Sequence, residues 1–332
     1  MKFSLAAFSL LAALVSAVPT PTEDGPLEAR TVEKRATITD ACTVGYCTQN
    51  GGTTGGTGGT TTTVTSLAEF TAAVQAEGSA VVVLDGNLSG AVKVNVTSDK
   101  TIIGKTGSSL TGIGLTLLGV QNVIIRNLKS SLVLADYGDV VTVQASSNVW
   151  IDSCDFSGDL SAGKDDYDGL IDIVHASEWV TVSNVKMHDH WKGGLVGHSS
   201  NNYDEDTGHL HVTFTGVWWD AINSRTPMYR FGEGHIFNSY ISNGGDTCIN
   251  SRDAAQLLIE SVVFESDPKK AIFSNDSNYG PGYAVVNDVD LGGSENLVEE
   301  GTLTSVPYDY TLLGSANTKA YVTANAGQVL AI

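Results

Sequence analysis

One four-residue pattern recurs six times through the middle of the chain, and it constrains the fold more than any other feature. Each copy reads apolar, polar or small, small or amide, then apolar. The copies are Ile125-Arg126-Asn127-Leu128, Ile151-Asp152-Ser153-Cys154, Val182-Ser183-Asn184-Val185, Phe214-Thr215-Gly216-Val217, Phe237-Asn238-Ser239-Tyr240 and Ile259-Glu260-Ser261-Val262. They follow one another at 26, 31, 32, 23 and 22 residues. A short, loose period of this kind marks a solenoid. If each repeat is one coil, equivalent residues stack about 4.8 Å apart in parallel sheets. The apolar columns then fill the interior, and the small or amide column makes the bend between two sheets. The two long intervals predict loops expelled on one side, where function tends to reside. A β-sandwich also alternates, but it needs hairpin signals such as Asn-Gly between successive strands, and these are sparse. The pattern predicts an all-β fold, a single-domain right-handed parallel β-helix with extended loops on one side.

The ends read differently. Residues 1–17 resemble a secretory signal, with Lys2, a short apolar run and Val15-Ser16-Ala17 before a cut. Residues 18–35 read as a propeptide ending at Lys34-Arg35, which leaves residues 36–332 as the mature domain. The apolar run is too short to span a bilayer, so a secreted, extracellular monomer is expected. Sequons place candidate glycans on Asn87, Asn95 and Asn275. Cys42, Cys47, Cys154 and Cys248 allow three disulfide pairings, and buried free thiols at Cys154 and Cys248 are an equal alternative. The Gly/Thr stretch 51–63 lacks the ending of a phosphate loop and reads as a structured loop or cap. Residues 300–332 read as a tail packed along the surface, and no long helical periodicity follows the signal.

With 18 Lys+Arg against 37 Asp+Glu, the net charge is −19, which argues against nucleic acid and anionic membranes as partners. An acidic chain can still hold an acidic substrate if a cation sits between them. Asp165-Asp166-Tyr167-Asp168 is followed by Asp172, and Asp139 lies one coil earlier. Stacking would gather Asp139, Asp168 and Asp172 into a hard-cation site suited to calcium, against the plain alternative of a solvated acidic loop. Cations are scarce and therefore informative. Lys192 lies in His188-Asp189-His190-Trp191-Lys192-Gly193, and Arg225 and Arg230 lie in Ser224-Arg225-Thr226-Pro227-Met228-Tyr229-Arg230-Phe231-Gly232. Arginines five apart on a strand face opposite ways. Pro227 breaks that strand, so both can face one groove and grip carboxylates; surface ion pairs are the alternative. His188 and His190, with His198 or His209, match no zinc spacing. No Gly-x-Ser-x-Gly elbow occurs. Trp218-Trp219 is better suited to core packing than to stacking on sugars.

These motifs, together with Trp150-Ile151-Asp152 and Asp168-Gly169-x-x-Asp172-Ile173, resemble the pectate lyase superfamily, polysaccharide lyase family 1, and most closely its secreted fungal members. The resemblance spans residues 40 to 275. It implies calcium-dependent β-elimination of polygalacturonate. On it, Asp139, Asp168 and Asp172 fall at the calcium ligands, Arg225 at the catalytic base, and Lys192 and Arg230 where substrate carboxylates are held. Ser153, and Thr215-Gly216-Val217, depart from the family's usual histidine and His-His-Asn, both beside the bend column. An arginine base is awkward, because a neutral guanidine at pH 8 costs about 6 kcal/mol, which implies an alkaline optimum. Rival readings are a pectin lyase, a hydrolase using Asp165, Asp166 or Asp189, or a non-catalytic pectin-binding β-helix.

Overall fold

Six apolar residues stack in one unbroken column. Parallel pairing runs Ile125 onto Ile151, Val182, Phe214, Ile236 and Ile259 in turn. All six are shielded completely from solvent. The computed structural model that shows this describes residues 34–265, 268–275 and 277–332. The signal and propeptide readings therefore lie outside the described residues, apart from Lys34 and Arg35.

Each coil has three sides. Strands such as Ser147–Asp152 and Glu178–Ser183 form the first sheet, and Lys186–Lys192 and Trp218–Ser224 lie in the second. Val141–Gln144, Ile171–Val174, Gly194–Val196, Met228–Arg230 and Ile249–Arg252 stack as the third. All named pairings are parallel, as a β-solenoid requires. The bend between the first two sheets falls at Asn127, Ser153, Asn184, Gly216, Asn238 and Ser261, with φ from 49° to 64°. That left-handed conformation suits Asn and Gly. At Gly216 an added Cβ would lie 2.7 Å from the Asn184 amide oxygen below it, so the departure at Gly216 belongs to the stacking of bends. The two long intervals put their extra residues before and after the third sheet, so both loops flank that sheet.

One segment was read a residue out of register. Ile236, not Phe237, points inward, and Asn238 rather than Ser239 makes the bend. The spacings are thus 22 and 23 in that order. Phe237 lies on the outer face, stacked on His235 at 4.3 Å and tilted against Tyr310 at 5.2 Å. The tail covers this face and buries outward residues too, which erases the alternation that normally fixes register.

The tail is sewn down by hydrogen bonds. Tyr308 OH meets Thr213 Oγ1 at 2.7 Å and His235 Nδ1 at 2.8 Å, and Asn238 Nδ2 donates to the Thr311 carbonyl at 2.8 Å. Its helix Ser315–Asn325 buries Thr318 and Val322. Leu330–Ala331 pairs with Lys34–Arg35. A second helix, Leu67–Gln75, covers the first coils with buried Phe70 and Val74. Neither helix was expected from periodicity, although Ser66 and Glu69 form a complete capping box that marks the start of the second. Cys42 and Cys47 form a disulfide, while Cys154 and Cys248 are buried thiols. Burial pushes the Cys248 thiol up to about 12. Trp219 is wholly in the core, as expected. Asn87 and Asn95 are exposed, and Asn275 is half-buried.

Asn127 ties the bend to the tail. Its Nδ2 donates to the carbonyls of Gly104 at 2.8 Å and Leu330 at 3.1 Å, and its Oδ1 accepts from Leu330 N at 3.0 Å. Asn127→Ala should cost about 2–4 kcal/mol in urea unfolding, from strain at positive φ and orphaned buried groups. Asn127→Gly should cost less, because it keeps the backbone conformation.

Candidate active site

Stacking places Asp139 and Asp172 on adjacent coils around Gly169. Thr142 Oγ1 donates to Asp139 Oδ2 and Gly169 N to Asp139 Oδ1, both at 2.8 Å. A Cβ at Gly169 would sit 2.7 Å from Asp139 Oδ1 and 2.7 Å from Asp172 Oδ1, so the two oxygens line one small space that only glycine leaves open. Asp172 Oδ1 is buried with no hydrogen-bond partner among the described residues. Burial, and then the negative charge of Asp168, hold the Asp139 carboxyl above the usual carboxylate range. Asp172 is pushed well above it by burial and by Asp139, against the pull of Arg225. Two buried oxygens facing one gap, one of them orphaned, are a donor set for a hard divalent cation. Asp168 stands on the rim. Its Oδ1 accepts from Lys192 Nζ at 3.3 Å, and Asp165 Oδ1 accepts from the same ammonium at 3.1 Å. Among the described residues, no three His, Cys, Asp or Glu side chains close a metal cage by themselves.

The cations reach the site through backbone contacts that glycines permit. Gly193 N donates to the Ser224 carbonyl at 2.9 Å and Gly194 N to the Arg225 carbonyl at 2.7 Å. A Cβ on Gly193 would lie 2.6 Å from the Arg225 carbonyl oxygen, so Lys192-Gly193 and Ser224-Arg225 can approach only as written. Arg225 turns at φ 66° and is followed by a cis Thr226–Pro227 bond. This brings its guanidinium into electrostatic range of Asp139, Asp172 and Arg230. Among the described residues, no side chain hydrogen-bonds or ion-pairs with that guanidinium. Arg230 is more confined. Its Nη1 donates to the Gly197 carbonyl at 2.9 Å, and its Nε lies 3.1 Å from the fully buried Asp253 carboxylate. Burial and then the neighbouring Arg252 disfavour its charged form.

Arg252 escaped the sequence reading, and so did the role of His190. Arg252 stacks directly on Arg230 and extends the cation row by one coil. One coil length of 22 residues added to Arg230 would have found it. His190 is buried, and burial lowers its pKa to about 4, so it is neutral and accepts the Lys192 backbone N–H at 3.0 Å on Nδ1. It positions the Lys192 backbone. The carboxylates of the hydrolase reading have partners of their own, Asp165 among them on Lys192 Nζ at 3.1 Å. Asp166 accepts from Gly163 N at 2.6 Å in its own turn, and Asp189 is held by His188 at 2.7 Å.

The chain is similar to known proteins over nearly its whole length. The family model for pectate lyase matches residues 8–329. Pectate lyase plyB of Emericella nidulans is 54% identical over 324 residues, covering 97% of this chain and 98% of that protein. Pectate lyase B of Colletotrichum gloeosporioides is 56% identical over 313 residues, covering 94% and 93%. A Bacillus sp. N165 pectate lyase, solved in complex with trigalacturonate, superposes with a TM-score of 0.78 at 26% identity, covering 87% of this chain and 99% of that one. The chain belongs to the pectate lyase family.

The carboxylate pair sets a pH dependence. A raised folded-state pKa means that the metal-free folded protein binds more protons than the unfolded chain above pH 3.8, so these groups cost stability as pH rises from there. Asp172→Asn should therefore raise the stability of the metal-free protein at pH 7, by about 1–3 kcal/mol. The gain should vanish near pH 3.5, as read by chemical unfolding at both pH values.

Proposed function

We infer that the protein is a pectate lyase that cleaves polygalacturonate by calcium-dependent β-elimination. The single observation that supports this best is the open space at Gly169 between two buried carboxylates, beside an unpaired arginine. The donor set fits calcium, which Asp139, Asp168 and Asp172 would hold together with substrate carboxylates and water. When bound, calcium supplies positive charge beside the C6 carboxylate, which acidifies the C5 proton and stabilises enolate-like charge.

The chain's own residues do the rest. Lys192, Arg230 and Arg252 seat successive substrate carboxylates and set the register of the polymer. Arg225, in its neutral form, takes the C5 proton. The released electron pair forms the C4–C5 double bond, the C4–oxygen bond breaks, and the leaving oxygen gains a proton from solvent. Burial raises the Asp139 and Asp172 carboxyls, and a bound cation would offset their charge, so the acidic pocket suits a divalent ion. The signal-like segment, the dibasic pair and the exposed sequons Asn87 and Asn95 support secretion into a medium where pectin and calcium meet.

Polygalacturonate should yield unsaturated products, followed by their ultraviolet absorbance. EDTA should abolish the activity and calcium restore it. Activity should rise toward alkaline pH, because a guanidine is a base only when neutral. Arg225→Lys should lose at least about 100-fold in kcat, and Arg252→Ala should raise KM more than it lowers kcat. Full activity in EDTA, or saturated products, would overturn the reading.

A further inference from the structure

A crevice opens where the tail crosses the bends between the first two sheets. It holds ≈ 370 Å³ and is walled by Asn184, Thr215 and Phe237 on the coils and by Asp309, Tyr310 and Tyr321 on the tail. That size suits a small-molecule site. Among the described residues, no lysine, arginine or histidine lines it. It is separate from the catalytic groove. Asn184 precedes the strand Lys186–Lys192, and Lys192 ends it, so the seven residues of that strand lie between the crevice and the first cation of the groove.

The polar atoms of the crevice are of two kinds. Asn238 is committed to the tail: its Nδ2 donates to the Thr311 carbonyl at 2.8 Å and its Oδ1 accepts from Leu313 N at 2.9 Å. One coil below, Gly216 brings no side chain to the bend column, and the Asn184 amide oxygen that faces it has no hydrogen-bond partner among the described residues. Thr215 is only 8% exposed, yet its hydroxyl also has no partner among the described residues, and neither does the exposed Asp309 carboxylate. Tyr310 spends its hydroxyl on Glu260 Oε2 at 2.7 Å, so it offers the crevice its ring. Unpaired acceptors beside aromatic faces suit a ligand with several hydroxyl donors and an apolar C–H face, which a neutral sugar ring provides. A uronate is a poor occupant, because its carboxylate would meet Asp309 and find no cation.

We propose that this crevice binds a neutral sugar unit of a polysaccharide, as an anchoring site distinct from the catalytic groove. No residue of the crevice takes part in the lyase chemistry inferred above, so the two readings stand or fall separately. The test is calorimetric titration of the full chain with galactotetraose, an uncharged oligosaccharide. Wild type should bind it saturably with Kd of about 1 mM, and equally well when calcium and trigalacturonate are present. Thr215→Val keeps the side-chain shape and removes the hydroxyl. It should weaken binding at least about fivefold, and Thr215→Ser should restore it. Asp309→Ala, at an exposed side chain that the fold does not use, should weaken binding by a similar factor and decides the matter if Thr215→Val does not fold. All three variants should cleave polygalacturonate within about twofold of wild type. No binding up to about 20 mM, displacement by trigalacturonate, or unchanged affinity in Thr215→Val or Asp309→Ala would overturn the proposal. A wild type that binds galactotetraose but leaves polygalacturonate intact would support this site and overturn the lyase reading alone.

Discussion

Everything in this molecule depends on parallel backbone pairing between successive coils. That pairing converts a separation of some thirty residues in sequence into one strand spacing in space. Asp139 and Asp172 become neighbours by it, and so do Arg230 and Arg252. The stack is costly to form, because every contact closes a long loop. Once formed, it is rigid and holds side chains in a fixed lattice. Left-handed turns at Asn127, Asn184 and Asn238 keep the coils in phase; the Asn127 and Asn238 amides donate to backbone carbonyls, and the Asn184 amide donates to Asp152 Oδ1.

The electrostatic problem is that of an acidic protein acting on an acidic polymer. Repulsion over the whole surface is overcome locally, by a row of cations raised on consecutive coils and by two carboxylates confined where neither is comfortable charged. On the function proposed above, a divalent ion would relieve that confinement, and the cation row would orient the substrate that comes with it. Arg230 is braced from behind by Asp253, which itself accepts a hydrogen bond from Ser200 at 2.9 Å. Arg225 has no such brace and remains available.

Much of this was readable before the structure. Column residues such as Ile125, Ile151 and Val182 declared the coil, and the spacing of the two arginine-bearing motifs declared the groove. What was hidden has physical causes. Phe237 misled because the tail buries the outside of its strand as well as the inside. Arg252 sits in Ser251-Arg252-Asp253, which has no pattern of its own and gains meaning only from the coil below. His190 matched no zinc spacing, and only its burial shows its part as a backbone acceptor. The crevice at Thr215 joins residues from separate stretches of chain, and no local pattern announces such a meeting.

The pairing of Lys34–Arg35 with Leu330–Ala331 bears on how the chain would mature. A processing protease must pull its target into its own cleft as an extended ribbon, and here that ribbon is already engaged by the other terminus. Trimming after Arg35 would carry away the partner of the last strand and leave the final residues held through Asn127 and Gln328. Lys34–Arg35 and Leu330–Ala331 therefore form a latch: were the dibasic pair a processing site, scission before the C-terminal strand docks would meet a free segment, whereas scission afterwards would first have to pry it open.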